Sequence, residues 1–222
     1  MKKTAFTLIE LLIVIAIIAI LAAVVLPMLA ASLEKARATE DATKLRQLGI
    51  GLQAYLNDNG DTMFQQKAAP SWPDALQAKY VQNWKTYRSP FDRRTDTGAD
   101  PAPVSYGINA ALFAPAADAP PPGPGEYRGS FAEFASPSDL ILLAPALDNA
   151  SMLHFSGLST ANVALKPPVG GDKLGTHSMR NLINVLFADG GVRAALWSEF
   201  ADSNSNPTGL RRWFPLGVDP KH

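Results

Sequence analysis

The sequence predicts an α+β protein in which a long N-terminal helix packs on a small antiparallel β-sheet domain. Three features of the sequence support this fold class. An apolar run extends from Leu11 to Ala31, apolar side chains then recur at helical spacing as far as Leu56, and two apolar segments flank a turn at 189–191. A long helix followed by strands that pair through tight turns is typical of α+β domains.

The composition excludes several classes of function. The chain has 222 residues, which suits one domain with an appendage. Its formal net charge is zero, because 20 Lys and Arg balance 20 Asp and Glu, so no basic excess indicates a nucleic-acid partner. The sequence contains no cysteine, which excludes disulfides and thiolate metal sites.

The apolar run has the length of a membrane-spanning helix. Residues Leu11 to Ala31 carry no polar side chain, and at about 1.5 Å per residue they span about 31 Å, close to the roughly 30 Å hydrocarbon core of a bilayer. Lys2 and Lys3 precede the run, and the positive-inside rule places them in the cytoplasm. We therefore expect a single-pass membrane protein, with a cytoplasmic N-terminus and the rest of the chain on the opposite side of the membrane.

Three interpretations of this segment compete. A cleaved secretory signal peptide normally has an apolar region of only about 7–15 residues, and the suitable cleavage site here is at 30–32. A generic signal anchor explains the length but not Glu10, since a carboxylate inside a membrane helix costs about 2.5–3.5 kcal/mol. The third interpretation gives Glu10 a partner, because proteolysis beside it would create a free amine closer than Lys2 or Lys3.

Residues 2–12, with the sequence KKTAFTLIELL, resemble the class III signal of type IV prepilins and type II secretion pseudopilins. The resemblance implies that a prepilin peptidase cuts between Ala5 and Phe6, and that Phe6 is then N-methylated. It also implies that Glu10 pairs with the Phe6 amine of a neighbouring subunit during assembly. Pro27 stands where the family often has a helix-bending proline, and Ala5 stands where the family usually has glycine.

The helix is predicted to continue beyond the membrane as an amphipathic segment that packs on the domain. Its apolar stripe consists of Leu45, Leu48, Leu52, Tyr55 and Leu56. Gly49 and Gly51 lower helix propensity and are expected to allow close packing against the sheet. The sequence NDNGD at 57–61 ends the helix.

These features divide the chain into four parts. Residues 1–5 are expected to form a cytoplasmic leader peptide, 6–31 a transmembrane helix, 32–57 its amphipathic continuation, and 58–222 a periplasmic globular domain with a pilin-like fold. Within this domain the sequence predicts a capping box at Ser71 that opens a short helix, and an irregular proline-rich loop at 114–125. Strands are predicted at 104–108 and 140–143, with a hairpin formed by 182–188 and 192–197.

A second resemblance is spread over the domain. The segments at 45–61, 105–109 and 184–192 are similar to pilin-like proteins that carry a C-terminal processing-associated His-x-Asp-Gly region. The spacing from His177 to Asp189 departs from that group. Relatives often have a cysteine where this sequence has Ser89, so the disulfide of that subgroup is absent.

The sequence predicts that the protein is not an enzyme, and it gives no basis for assigning a cofactor. His177, Ser178 and Asp189 could serve a hydrolase only if they converged in space, and no Gly-x-Ser-x-Gly, phosphate loop or His-Glu-x-x-His is present. Major pseudopilins as a family bind calcium, which takes six to eight oxygen ligands. Two clusters of oxygen-bearing side chains offer incomplete sets, namely Asp58, Asn59 and Asp61, and Asp189, Asp202 and Asn204.

The leading hypothesis is therefore a structural subunit of a type II secretion pseudopilus that assembles into a helical fibre. The expected partners are the prepilin peptidase, other pseudopilin subunits and the inner-membrane assembly platform. One alternative is a type IV pilus subunit. The other is a membrane-anchored periplasmic binding domain or enzyme, which predicts no processing at Ala5-Phe6.

Overall fold

The computed structural model describes residues 8–65, 71–92, 104–115, 127–145, 154–155, 176–178, 181–196 and 216. The chain divides into two compact units, Met1–Arg37 and Ala38–His222. Helix α1, Leu8–Asp58, is continuous through both. The predicted helix is thus confirmed, and its end lies within one residue of the predicted position, whereas residues 6 and 7 lie outside the described residues.

The first unit consists, in its described residues, of helix alone. Its large apolar side chains are exposed on every face, from Leu8 to Leu33. Pro27 lies inside the helix, where it cannot donate a backbone hydrogen bond to the preceding turn. The helix nevertheless continues without interruption, and one turn later the Ser32 hydroxyl donates to the carbonyl of Met28 at 2.9 Å.

The second unit is built around the amphipathic part of α1. The predicted stripe faces the core: Leu45, Leu48 and Leu56 are fully buried and Leu52 nearly so, while Tyr55 packs at the edge. Burial of each such leucine contributes about 1.5–3 kcal/mol. The rest of the core comes from the loops, a second helix and the sheet, and its large members include Met63, Phe64, Trp72, Leu76, Tyr87, Tyr106, Ile108, Leu140, Leu142, Leu143 and Leu186.

Helix α1 ends in a turn that its sequence requires. Gly60 and Asp61 both have positive φ, +60° and +58°, a conformation that glycine and aspartate accept more readily than other residues. The Asp61 amide donates to the Leu56 carbonyl at 2.8 Å, and the Asn59 side chain donates to the Tyr55 carbonyl at 2.8 Å. These bonds occupy carbonyls that the end of the helix would otherwise leave unpaired.

Helix α2, Trp72–Lys79, forms where the sequence predicts it, with Ser71 at the N-cap. The predicted capping box is wrong in its detail. The Ser71 hydroxyl makes no hydrogen bond to the backbone of the first turn but donates to the Asp74 carboxylate at 2.5 Å. Proline in the first turn is compatible with this start, because its missing N–H has no intrahelical partner there.

Within the described residues the sheet has five strands, in the order β3-β1-β2-β4-β5. The strands are β1, Tyr106–Asn109; β2, Ile141–Pro145; β3, His154–Phe155; β4, Leu182–Phe187; and β5, Val192–Leu196. Four of them pair antiparallel as predicted, and β4 and β5 form the predicted hairpin. The two-residue strand β3 pairs parallel with β1, which the sequence did not predict.

The β4–β5 turn follows from its sequence. Gly190 has a φ of +80°, and the Asp189 carboxylate accepts a hydrogen bond from the Gly191 amide at 2.8 Å. The predicted strands at 104–108 and 140–143 correspond to β1 and β2 with ends shifted by one or two residues. Beyond Pro115, the proline-rich segment predicted at 114–125 lies outside the described residues.

Substituting alanine for the two glycines of α1 is expected to change stability by different amounts. A Cβ at Gly51 would lie 2.3 Å from Val81 Cγ2, whereas a Cβ at Gly49 would lie 3.0 Å from the flexible end of Leu186 on β4. Overpacking costs about 1–3 kcal/mol, offset by about 1 kcal/mol of helix propensity. We expect Gly51→Ala to lower the free energy of unfolding by up to about 2 kcal/mol and Gly49→Ala to change it less, measured by urea unfolding of the full chain in detergent micelles. A Gly51→Ala protein as stable as Gly49→Ala would contradict this.

Candidate functional site

The exposed apolar helix of the first unit is the leading candidate for function. Between Leu11 and Leu29 its large apolar side chains range from 45% exposed at Val14 to 67% exposed at Ile20 and Met28. A helix that is apolar on all faces requires an apolar environment around it. By length and composition, α1 is the one helix among the described residues that could cross a membrane.

The structure places two of the four predicted site residues. Glu10 is the acidic residue of the first turn of α1 and its side chain is exposed. Pro27 lies within the same helix. Ala5 and Phe6 lie outside the described residues, so cleavage between them, methylation of Phe6, pairing with Glu10 and bending at Pro27 stay predictions.

Comparison with known proteins bears on this segment. Residues 1–26 match the family model described as the prokaryotic N-terminal methylation motif. The chain carries the signal motif of type IV pilins and pseudopilins. No curated protein and no solved structure matches the chain.

The methylation motif fixes the general class of the protein but not the assembly to which it belongs. It supports a type IV pilin-like protein, of a pilus or of a pseudopilus, and implies processing by a prepilin peptidase and pilin-type assembly. Proteins with this motif are structural rather than enzymatic. The motif-bearing helix is long and apolar enough for single-pass anchoring in a membrane.

Each of the three residues considered for hydrolysis has a contact or conformation that can be described. His177 is buried, its ring stacks on Phe91 with centroids 5.7 Å apart, and its Nδ1 lies 3.0 Å from the Thr176 hydroxyl. Ser178 is exposed and has a φ of +52°. The Asp189 carboxylate accepts a hydrogen bond from the Gly191 amide in the β4–β5 turn. None of these contacts joins the three into a triad.

Among the described residues, no group of three or more His, Cys, Asp or Glu side chains could hold a metal ion. Calcium also takes Asn and backbone oxygens, so this leaves calcium binding unassigned. Asp58 accepts from the Lys79 ammonium at 2.5 Å and from the Tyr80 hydroxyl at 2.9 Å, and these bonds lower the pKa of its carboxyl. Asn59 donates to the backbone of α1. In the second cluster Asp189 shapes the hairpin turn, and Asp202 and Asn204 lie outside the described residues.

A buried carboxylate that sequence analysis missed lies on α1 near the start of its docked part. The docked part is the stretch of α1 that belongs to the second unit, from Ala38 to Asp58. Asp41 is fully buried. Its Oδ1 accepts from the Ser89 hydroxyl at 2.6 Å and from the Tyr106 hydroxyl at 2.8 Å, and its Oδ2 accepts from the Asn184 amide at 3.0 Å. The same amide nitrogen donates to the carbonyl of Ala38 at 2.8 Å. Asp41 thus joins α1 to a loop, to β1 and to β4.

A signal for this carboxylate was present in the sequence. Asp41 stands four residues before Leu45, in line with the apolar stripe. An acid on the buried face of a helix requires donors. Burial raises the pKa of the Asp41 carboxyl, although the hydrogen bonds from its three donors and the charge of His177 act to lower it.

The raised pKa predicts a pH dependence of stability with a defined sign. The native protein takes up a proton on Asp41 at a higher pH than the unfolded chain does. The contribution of Asp41 to the free energy of unfolding should therefore rise as pH falls from neutral, through the folded pKa, to the ordinary value of 3.8. The slope contributed by this one group reaches at most about 1.4 kcal/mol per pH unit.

Asp41→Asn is the matched control, because it removes the titrating group and keeps the shape. We expect the wild type to gain stability on acidification relative to Asp41→Asn, measured by urea unfolding of both full-length proteins in micelles between pH 7 and the ordinary carboxyl pKa. Parallel curves for the two proteins, or a relative loss in the wild type, would contradict the prediction.

Proposed function

We propose that this chain is a structural subunit of the pseudopilus of a type II secretion system. The observation that carries the proposal is the N-terminal methylation motif at residues 1–26. From Leu8 onward its described residues lie on a helix whose apolar side chains are exposed on every face. A helix with this surface needs lipid before assembly and other apolar helices after it.

The proposed life of the subunit begins in the inner membrane. Residues 1–5 form the cytoplasmic leader, 6–31 the transmembrane helix, 32–57 its continuation and 58–222 the periplasmic domain. A prepilin peptidase removes the leader by cutting between Ala5 and Phe6, and the new amine of Phe6 is methylated. The cut also removes Lys2 and Lys3, which have by then set the orientation in the membrane.

Assembly then joins many copies through their apolar helices. A heterologous contact that does not close on itself generates a helical filament. Within that filament the Glu10 carboxylate pairs with the Phe6 amine of the adjacent subunit and sets the axial register. An acid and an amine brought together in an apolar environment stabilise each other, whereas either group alone would be costly there.

The choice of a secretion system over a pilus rests on one feature of the sequence. Subunits of type IV pili commonly have a C-terminal loop bounded by cysteines, and this sequence contains no cysteine. In a type II secretion system the fibre would act with the inner-membrane assembly platform to move folded proteins through the outer-membrane channel.

The first prediction concerns processing. The membrane-bound protein should begin at Phe6 and carry one added methyl group on that amine, as measured by intact mass and N-terminal analysis. Ala5→Gly should be processed at least as completely, since glycine is usual at this position, while Ala5→Leu should retain its leader. A mature terminus near Leu33 would show signal-peptide cleavage, and an unprocessed Met1 would show a simple anchor. Either result would overturn the proposal.

The second prediction concerns Glu10. Glu10→Leu should insert in the membrane normally, because it only extends the apolar run, but it should be lost from sheared fibres when co-expressed with wild type. Ile9→Leu is the matched control and should assemble. Normal incorporation of Glu10→Leu would refute the assembly role. Cells that make only Glu10→Leu should retain secreted proteins in the periplasm, and normal secretion together with a loss of surface pili would instead indicate a pilus subunit.

A further inference from the structure

The docked part of α1 is held in different ways along its length. From Leu45 to Leu56 its buried residues are four leucines and Gly51. The first buried residue of α1, however, is Asp41, and the alanines at 38 and 42 are only half-buried. The first two turns of the docked segment are therefore attached mainly by polar contacts.

These polar contacts arrive from three separate parts of the second unit. Ser89 lies in the loop after the short 3₁₀ segment Trp84–Tyr87, Tyr106 lies on β1, and Asn184 lies on β4. The three donors are buried, with exposures of 3%, 1% and 5%. Asn184 contacts α1 at two points within one turn, because its amide nitrogen donates both to the Asp41 carboxylate and to the Ala38 carbonyl.

A polar attachment of this kind opens more easily than apolar packing does. The free energy gained from the three hydrogen bonds to Asp41 is offset by the cost of removing its charge from water. Their net contribution to the stability of the docked helix is therefore small for three hydrogen bonds. Water that enters can also replace each donor, whereas it cannot replace the contacts of a buried leucine. Local opening in proteins starts where buried apolar contacts are few.

We propose that Asp41, Ser89, Tyr106 and Asn184 form a polar latch that sets where along α1 docking on the domain begins. When the latch is closed, docking begins at Ala38. When it opens, residues 38–44 leave the sheet as a helix while the leucine stripe from Leu45 onward stays in place. Opening lengthens the undocked helix by about two turns without unfolding the domain.

The absence of cysteine allows a direct test with single-cysteine reporters in the full chain in detergent micelles. Ala42→Cys reports on the latch and Ala54→Cys reports on the docked stripe, since both alanines are half-buried in α1. In the Asn184→Ala background we expect maleimide labelling at position 42 to accelerate at least about tenfold, while labelling at position 54 stays within about twofold of the unmutated rate.

Leu48→Ala provides the matched control, because it weakens the stripe without touching the latch. It should accelerate labelling at position 54 at least as much as at position 42. Tyr106→Phe, which removes only the hydroxyl that donates to Asp41, tests the latch again and decides the question if Asn184→Ala fails to fold. Unchanged labelling at position 42 in the folded latch variants would overturn the proposal. Equal acceleration at both positions would overturn it too, because that result indicates general loosening.

Discussion

A single unbroken helix connects two environments, and the rest of the fold depends on how its sequence changes from one to the other. Up to Arg37 the described side chains of α1 include apolar groups on every face. From Ala38 onward the large apolar side chains lie mainly on one buried face, and Ile50 is the exposed exception. No cap, loop or glycine break separates the two parts. The change is made by side chains alone, so the first buried position, Asp41, marks where the helix becomes part of a domain.

Asp41 is an unusual residue for that position, because a leucine there would have extended the stripe. The carboxylate needs three donors, and the fold supplies them from positions 48, 65 and 143 residues away in the chain. Such a site is satisfied only when the loop, β1 and β4 are all in place. Buried polar groups often contribute specificity rather than stability, and here the specificity concerns the position of a helix on a sheet.

How far apart in the chain the interacting residues lie decides which features the sequence could predict. The leucine stripe, the end of α1 at Gly60 and the β4–β5 hairpin depend on neighbours a few residues away, and each was predicted. The partners of Asp41 depend on tertiary placement, so the acid was visible in the pattern but its donors were not. The parallel pairing of β3 with β1 rests on two residues and leaves no periodic signal. For Glu10 the adjoining membrane-length run was enough to mark the residue as costly, because the cost of a carboxylate there is local. Its role in assembly stays a prediction.

Glu10 and Asp41 are both carboxylates that need a partner in apolar surroundings, but the partners lie in different places. Each places a carboxylate where apolar groups would be the simpler choice, one near the start of the apolar run and the other on the buried face. The partners of Asp41 lie in the same chain, so its desolvation cost is offset only when the helix is in one position on its own sheet. In the proposed fibre the partner of Glu10 is an amine on a neighbouring chain, so the cost would fix one helix against the next. A helix of leucines alone could satisfy lipid and core equally well, but it would lack a marker for its position in either.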